Sequence, residues 1–363
     1  MIVDTHAHIF PYLGAASGFT SQEEHNLYLQ LYIATHGQPV RRLSDHAVVP
    51  DIPLGDGLYA GPEAFTDSSF RVGQYGRFEW DYQGESYYRQ FLPPSLQDMA
   101  APPDLLVQEM ANAGVDVAIL QNARLYGRLN DYFAQAQQTY PGTFYGLADV
   151  DEAHAHKPTE IARLRRAILD QGLIGIYYAN RGLFPDRYRY GLDDRRYDPY
   201  WDEVRRLGIP VFWEILGTPL PTPHNYLREI ERLNHWTDRF PDIRCVLTHG
   251  IAPDFLQGTV PDPIEQLLRK EQILIEILYP IGEGRVLDYP FTELRPVVQT
   301  LYHKVGGARL VWGSDMPNVG RHCTYRQSLT YLETIADFIP PSDRARIAGD
   351  NAQSLFEVDR LRR

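Results

Sequence analysis

From about residue 102 onward the chain alternates helix-like and strand-like segments, and this alternation restricts the fold more than any other feature. In the first unit, prolines at 102 and 103 open a helix, Gly114 ends it, and residues 115–120 follow as an apolar strand. Parallel neighbours in a sheet need a crossover helix between them, so repetition of this unit predicts a parallel sheet. Together with a strand near the N-terminus, the predicted strands are residues 2–6, 115–120, 144–150, 173–178, 210–215, 243–248, 273–278 and 309–312.

Eight strands with intervening helices predict an α/β fold of one domain over residues 1–363, a (β/α)8 TIM-type barrel. At 363 residues and 44% hydrophobic content, the chain can bury one large core but is too short for three ordinary domains. In barrels of this type the chemistry lies at the C-terminal ends of the strands. Polar side chains just after each predicted strand are therefore the candidates for function.

A long insertion, residues 9–101, separates the first strand from the helix before the second and is rich in Gly, Pro and aromatic residues. Within it, Phe78, Trp80 and Tyr82 alternate with polar residues and precede a turn at 83–85, which predicts a β-hairpin. An insertion at this point must lie over the mouth of the barrel. We expect it to form either an aromatic lid, with Trp80 touching substrate, or a packing subdomain or dimer arm.

Composition excludes several classes of partner. The chain has 47 acidic and 35 basic residues, a net charge of −12, which disfavours nucleic acid and anionic membranes. Its two cysteines, Cys245 and Cys323, are too few for a disulfide framework and suit a reducing compartment. No signal-peptide pattern and no apolar stretch of about 18 residues is present. We expect a soluble, cytoplasmic protein that binds a small-molecule substrate, with a homodimer left open.

The strongest chemical signal is the pair His6 and His8 at the end of the first strand. Side chains at i and i+2 of a strand point to the same face, so both imidazoles can bind one cation. Neutral imidazole suits zinc, iron, cobalt, nickel or manganese better than calcium or magnesium. The same spacing recurs at His154 and His156, but there it follows the end of an apolar segment and lies among acidic residues. We interpret that second pair as ordinary surface residues.

Three further ligand-type residues also stand at predicted strand ends: Glu214, His249 and Asp315. Each has a competing interpretation. Glu214 could contact a metal ligand or the substrate instead of the metal, His249 could be a core histidine, and Asp315 could cap a turn before its Met-Pro neighbours. Their shared position at the strand ends favours a role in one site.

Four motifs in order resemble the amidohydrolase-2 branch of the amidohydrolase superfamily, which includes aminocarboxymuconate semialdehyde decarboxylase. They are Asp4-Thr5-His6-Ala7-His8, Thr248-His249-Gly250, Gly313-Ser314-Asp315-Met316-Pro317 and Ile347-Ala348-Gly349-Asp350-Asn351-Ala352. The resemblance implies a barrel that holds one divalent metal. It also implies that His6, His8 and Asp315 are metal ligands and that His249 orients or deprotonates the metal-bound water.

The chain departs from that branch on the fifth strand, where Glu214 stands in place of the usual histidine. A carboxylate can bind zinc or manganese there, so Glu214 is the predicted fourth ligand. The departure bears on the reaction. Keeping His6 favours hydrolysis, because several decarboxylases of the branch have Glu at that position. Glu214 favours decarboxylation, because it restores their count of two carboxylates and two imidazoles.

Substrate recognition is predicted from polar residues that follow the second and fourth strands: Asn122, Arg124, Tyr178 and Arg181. Arginines near a metal suit a carboxylate-bearing substrate, because guanidinium pairs with carboxylate through two hydrogen bonds. The alternative is that these arginines pair with surface acids of an acidic chain. Aromatic residues make up 12% of the chain, which is consistent with a planar or cyclic substrate.

These observations predict a metal-dependent enzyme with one divalent transition metal, zinc first and manganese second. The cation would lower the pKa of a bound water, and His249 would move its proton, with Asp315 as a second proton carrier. Attack on an amide, lactone or activated carbonyl would then give hydrolysis. Two alternatives remain open: nonoxidative decarboxylation of an aromatic or enoic acid at the same metal, and a barrel that binds a ligand without catalysis.

Overall fold

A computed structural model of the protein describes residues 1–50, 54, 65 and 69–356. Parts of the predicted insertion (51–53, 55–64 and 66–68) and the C-terminal residues 357–363 lie outside the described residues. The strands of the described part are β1 Val3–Ala7, β2 Val40–Arg42, β3 Arg71–Val72, β4 Arg77–Tyr82, β5 Glu85–Gln90, β6 Val117–Leu120, β7 Phe144–Asp149, β8 Gly175–Ala179, β9 Val211–Glu214, β10 Cys245–Thr248, β11 Ile273–Ile277 and β12 Leu310–Trp312.

Eight of these strands form one parallel sheet in the order β1-β6-β7-β8-β9-β10-β11-β12. A parallel bridge between Ala7 and Met316, just beyond β12, brings the last strand back to the first. The predicted (β/α)8 barrel is confirmed, and each predicted strand boundary lies within two residues of the observed one. The strands are almost wholly buried because helices cover the outside and side chains fill the inside.

The α-helices of the described part are α1 Gln22–Ala34, α2 Pro103–Ala113, α3 Asn130–Thr139, α4 Pro158–Leu169, α5 Asp198–Leu207, α6 Pro223–Arg239, α7 Asp262–Leu268, α8 Tyr279–Glu283, α9 Arg295–Val305, α10 Tyr325–Ile335, α11 Pro341–Ala345 and α12 Asn351–Phe356. Local chemistry sets many of their ends. Helix α2 begins at a proline and stops at Gly114, whose φ of 77° ends the helix in the left-handed conformation. None of the described helices is both long and apolar enough to span a membrane.

The insertion after β1 contains helix α1 and an antiparallel sheet in the order β2-β5-β4-β3. The predicted hairpin is confirmed as β4 and β5, joined by Gln83 and Gly84 with φ angles of 50° and 84°. Positive φ at both central residues is what a type I′ turn requires. Helix α1 was not predicted. Ser21 caps it by accepting a hydrogen bond from the Glu24 backbone N–H, a signal that is present in the sequence.

Trp80 does not lie at the barrel mouth, where the lid interpretation of the insertion placed it. Its side chain is 1% exposed and lies in the main hydrophobic core together with Phe78, which is also buried, because alternate residues of β4 share one face. The insertion reaches the mouth through other residues, among them Tyr32 and His36 at the end of α1 and Phe91 after β5. The insertion thus packs as a small sheet and covers one side of the barrel opening.

The C-terminal motif closes the other end of the barrel. A π-helical turn, Arg346–Asp350, leads into α12. A Cβ atom on Gly349 would lie 2.0 Å from the Met1 carbonyl oxygen, so only glycine fits here. The Asn351 side-chain amide donates to the carbonyls of Gly307 and Leu310 at 2.8 and 2.7 Å. These contacts attach the C-terminal helix to β12 and to the residues that precede β1.

Candidate metal and active site

His6, His8 and Asp315 meet at the C-terminal end of the barrel. His6 Nε2 lies 3.1 Å from His8 Nε2, and Asp315 Oδ1 lies 3.0 Å from His8 Nε2 and 3.9 Å from His6 Nε2. All three residues are buried, and their ligand atoms lie within 4.8 Å of one another. The structure therefore brings together three of the four predicted metal ligands.

The orientation of the two imidazoles fits a cation. His8 Nδ1 lies 2.8 Å from the carbonyl oxygen of Gln121, which can only accept, so His8 carries its proton there and leaves Nε2 bare. His6 Nδ1 lies 2.9 Å from Glu276 Oε2, which is also an acceptor, so Nδ1 of His6 carries a proton as well. Two ring lone pairs and one carboxylate oxygen then face a common point, which is favourable only if a positive charge occupies it.

The raised pKa of His6 also indicates that a positive charge is favourable at this point. Burial lowers the pKa of His6, but the charge and hydrogen bond of Glu276, together with the charges of Asp315 and Asp4, outweigh burial and raise the pKa to about 9. Without a metal, this ring therefore holds a proton at neutral pH. The donor set of two imidazoles and one carboxylate suits zinc or manganese better than calcium.

Glu276 on β11 is a site residue that the sequence analysis missed. Its carboxylate is fully buried and accepts hydrogen bonds from the Thr5 hydroxyl at 2.9 Å and from the His249 backbone N–H at 2.8 Å, in addition to its contact with His6. Burial acts to raise the pKa of Glu276, but the charge and hydrogen bond of His6, together with those of His249, outweigh it and lower the pKa. The ionised Glu276 carboxylate thus bonds to the ring of His6 and to the backbone of His249. A lone Glu inside the apolar segment Ile273–Ile277 was the available signal.

Asp4 has a similar supporting role on the other side of the site. Its carboxylate accepts from the Ser314 backbone N–H at 2.9 Å and from the Tyr325 hydroxyl at 2.6 Å. Burial raises the pKa of Asp4 to about 6, against the lowering effect of these hydrogen bonds. Because Ser314 precedes Asp315, this contact fixes the position of Asp315 opposite β1.

Asp315 has an unusual backbone conformation for a residue with a side chain, with φ at 61°. Its N–H donates to the His6 carbonyl at 2.8 Å, and its Oδ1 accepts from the Asn318 amide at 2.7 Å. Burial acts to raise the pKa of Asp315, but the contact with His8 and the charges of the surrounding histidines outweigh it and hold the pKa well below its usual range. Asp315 is therefore an ionised carboxylate aimed at the two histidines.

His249 lies beside the three predicted ligands. Its ring stacks on that of His6, with centroids 5.0 Å apart and planes at 17°, and its φ of 60° turns the chain at the end of β10. Burial lowers the pKa of His249, and the positive charge of His6 lowers it further. His249 therefore presents a neutral imidazole that can accept a proton.

A cavity of about 230 Å³ opens over these residues. Glu214 lies in its wall but is not part of the cluster formed by His6, His8 and Asp315. The Tyr32 hydroxyl donates to Glu214 Oε2 at 3.4 Å. Among the residues described, Glu214 has a phenol of the insertion as its hydrogen-bond partner, and its place as the fourth ligand stays a prediction.

One of the predicted substrate-binding residues lines this cavity. The Arg181 guanidinium lies 4.2 Å from the ring centroid of Tyr32, and no carboxylate of the described residues forms an ion pair with it. Arg321, in the loop after β12, also lines the cavity and donates to the Phe91 carbonyl. The cavity thus combines two guanidinium groups with the three clustered ligands.

Asn122, Arg124 and Tyr178 do not line the cavity, contrary to the prediction. Arg124 is buried in ion pairs with Asp151 at 3.1 Å and Glu152 at 2.9 Å, so internal acids hold it. The Asn122 amide is also buried and bonds to the backbone of the following loop, once its oxygen and nitrogen are assigned from their surroundings. Neither side chain is available to a substrate.

Tyr178 points away from the cavity because of strand parity. Its ring packs against Trp201 and Trp213, with centroid distances of 5.3 and 4.8 Å, on the helix side of the barrel. The preceding residue, Tyr177, lines the cavity instead. Successive residues of a strand face opposite sides, so the prediction chose the wrong one of two adjacent tyrosines.

The remaining histidines and cysteines singled out by sequence lie outside this cluster. His154 Nδ1 lies 3.0 Å from Asp151 Oδ1, and His156 Nε2 lies 2.9 Å from an Arg196 nitrogen, so each has a local partner. Cys245 is buried in β10, and burial raises the pKa of its thiol to about 12. A thiol with so high a pKa is inert near neutral pH.

Similarity to known proteins agrees with this arrangement. A family model described as amidohydrolase matches residues 3–358. An L-fucono-1,5-lactonase of Burkholderia ambifaria is 23% identical in an alignment 286 residues long that covers 76% of this chain and 88% of that protein.

Two solved structures share the fold at low sequence identity. A probable 2-pyrone-4,6-dicarboxylic acid hydrolase from Acinetobacter baumannii, with citric acid bound, has a TM-score of 0.56 and 16% identity and covers 98% of this chain and 99% of its own. A dihydroxybenzoic acid decarboxylase from Polaromonas sp. JS666, with bound manganese and the inhibitor 2-nitroresorcinol, has a TM-score of 0.52 and 17% identity over 72% of this chain and 87% of its own. Because the family model spans nearly the whole chain, the protein belongs to the amidohydrolase family and is an enzyme, as its four sequence motifs predicted.

Proposed function

We propose that the protein is a metal-dependent hydrolase that opens a lactone, amide or other activated carbonyl of a small substrate. One observation carries this proposal: the converging ligand atoms of His6, His8 and Asp315 lie beside the neutral imidazole of His249 in the wall of one cavity. The lactonase and hydrolase among the similar proteins support the same reaction class. The family match favours an enzyme over a barrel that binds without catalysis.

His6, His8 and Asp315 would hold one divalent metal, for which zinc is our first choice and manganese our second. Such a cation supplies Lewis-acid polarisation of a carbonyl oxygen and makes water more acidic. The manganese in the Polaromonas decarboxylase supports a divalent metal on this fold. Glu276 keeps the His6 ring in place through its bond to Nδ1, which fixes Nε2 toward the substrate side.

His249 would act as the general base. Its unprotonated ring nitrogen accepts the proton of the attacking water, and the same group returns that proton to the leaving oxygen or nitrogen. Its lowered pKa keeps it neutral before the reaction. Arg181 would bind a carboxylate of the substrate, because its guanidinium faces the cavity and stacks on Tyr32 without an acidic partner in the described part of the chain.

The reaction can be tested in ¹⁸O-labelled water with a panel of lactones, amides and carboxylated phenols, following label in the product and release of carbon dioxide. We expect label in a new carboxylate, because hydrolysis adds one oxygen from water. The control is the same protein after chelation and dialysis, which should lose the activity and regain it when zinc or manganese is added. Activity that persists at full rate without metal would contradict the mechanism.

Decarboxylation is the second candidate, and Glu214 is the observation that favours it. With Glu214 in the wall, the cavity contains two carboxylates and two imidazoles close to the predicted metal, and a structural neighbour is a decarboxylase. In this reaction His249 or Asp315 would protonate the carbon that loses carbon dioxide. Release of carbon dioxide with no label in the organic product would replace hydrolysis with this reaction.

Glu214→Gln tests whether Glu214 is a metal ligand. We expect metal content to remain near that of the wild type, because the clustered donors His6, His8 and Asp315 are unchanged. The measurement is elemental analysis of the dialysed protein, with Glu265→Gln, a change at a half-buried residue of α7 that does not line the cavity, as the matched control. A variant that loses its metal would place Glu214 in the coordination shell, as the sequence analysis predicted.

A further inference from the structure

A second cavity, of about 310 Å³, lies next to the catalytic one and has no part in the reaction described above. The two cavities share wall residues that include Leu216, His249 and Ile281, so they are neighbouring chambers of one cleft. His249 stands between them. One side of its ring faces the metal ligands through the stack on His6, and the residue also lines the second chamber.

The walls of the second chamber are mainly apolar. Ile215 and Leu278 line it, and the stacked rings of Tyr226 and Phe255 form another part, with centroids 5.1 Å apart and planes at 20°. The first chamber is different in kind, since two arginines, four histidines and two carboxylates line it. A molecule that spans both chambers therefore needs a polar, reactive end and an apolar end.

The tyrosine hydroxyls give this chamber no polar character. The hydroxyl oxygens of Tyr226 and Tyr279 are inaccessible to solvent, so other atoms of these two residues line the open space. The lining includes one carboxylate, that of the half-buried Glu283.

We propose that this second chamber, the apolar pocket, binds an apolar substituent of the substrate, an alkyl chain or a ring, joined to the group that reacts beside His249. The proposal rests on the proposed function, because it takes the first chamber as the reaction site. It assigns the substrate to a class, amphiphilic lactones or amides with an apolar side chain.

The proposal is tested by binding, without turnover. Zinc-loaded protein is titrated by calorimetry with acetate, butanoate and hexanoate, whose common carboxylate occupies the polar chamber. Affinity should rise by about fourfold for each methylene that enters the pocket, the gain expected from burying one methylene. Equal affinities for the three acids would overturn the proposal.

Two tryptophan variants locate the bound chain. Ala252 is exposed in the loop after β10 and lines the apolar pocket, so Ala252→Trp should fill it and abolish the gain with chain length while leaving acetate binding unchanged. Ser95 is the matched control, because it is equally exposed but lines a different cavity of about 480 Å³. A gain that survives Ala252→Trp, or that is lost in Ser95→Trp, would overturn the assignment.

These binding results are independent of the labelling experiment. A protein that hydrolyses nothing but gains affinity with chain length would remove the proposed reaction and keep the pocket.

Discussion

His6→Ala and Asp315→Ala should each lose the bound metal and at least about 10³-fold in activity. Each change removes one of three clustered donors, and a Lewis acid contributes several kcal/mol to the stabilisation of the transition state. Elemental analysis after dialysis measures the first effect, and initial rates on the substrate found by the labelling panel measure the second. The fold should survive, because the bulk of the hydrophobic core lies away from these residues.

The chain contains its own control for this experiment. His154 is half of a second pair with the same spacing, but its ring nitrogen contacts Asp151 and it lies outside the metal-ligand cluster. His154→Ala should therefore keep both metal and activity. A His6→Ala protein that retains a full complement of metal, with wild-type thermal unfolding, would disprove the assigned site.

His249→Asn should keep its metal and lose about 10²-fold to 10⁴-fold in turnover, the range for removal of a general acid or base. Asparagine is the suitable replacement. It tolerates the positive φ of this position better than most residues, and it leaves the backbone N–H free to bond to Glu276. The measurements are metal content, kcat and thermal unfolding on the same preparation.

His224→Asn serves as the matched control for that variant, because His224 is exposed in the first turn of α6, outside the cavity. It should leave kcat unchanged. If His249→Asn loses the metal as well as activity, His249 is a ligand rather than a base. If turnover is unaffected while metal is kept, another group must accept the proton.

The barrel and the positions of the clustered residues His6, His8 and Asp315 could be predicted from the sequence because they depend on local, periodic properties. Alternating helix and strand segments permit a parallel arrangement, and strand-forming runs end where glycine, proline or polar residues interrupt them. The parity of β1 places His6 and His8 on the same face without any knowledge of distant residues. His249 and Asp315 follow from the same rule, since parallel strands place their C-terminal ends at one edge.

Contacts between distant parts of the chain decided the rest. Glu276 binds His6 across 270 positions of sequence, and nothing near Glu276 indicates that partner. The sequence predicts Arg124 as a substrate-binding residue, but the fold places Asp151 and Glu152 beside it as ion-pair partners. Tyr177 lines the cavity in place of the predicted Tyr178, because adjacent residues of a strand face opposite sides.

The insertion and the two chambers depend on tertiary structure for the same reason. Helix α1, which supplies Tyr32, has too weak a periodic pattern to be recognised, and its position over the barrel follows from packing. A cavity is defined by side chains from many elements at once, so a residue's place in its wall cannot be read from neighbouring residues. The sequence by itself determined the barrel, the order of its strands and the strand ends that carry the clustered histidines and aspartate. Only the tertiary structure decided which side chains face the reaction, because that depends on through-space partners that local patterns do not encode.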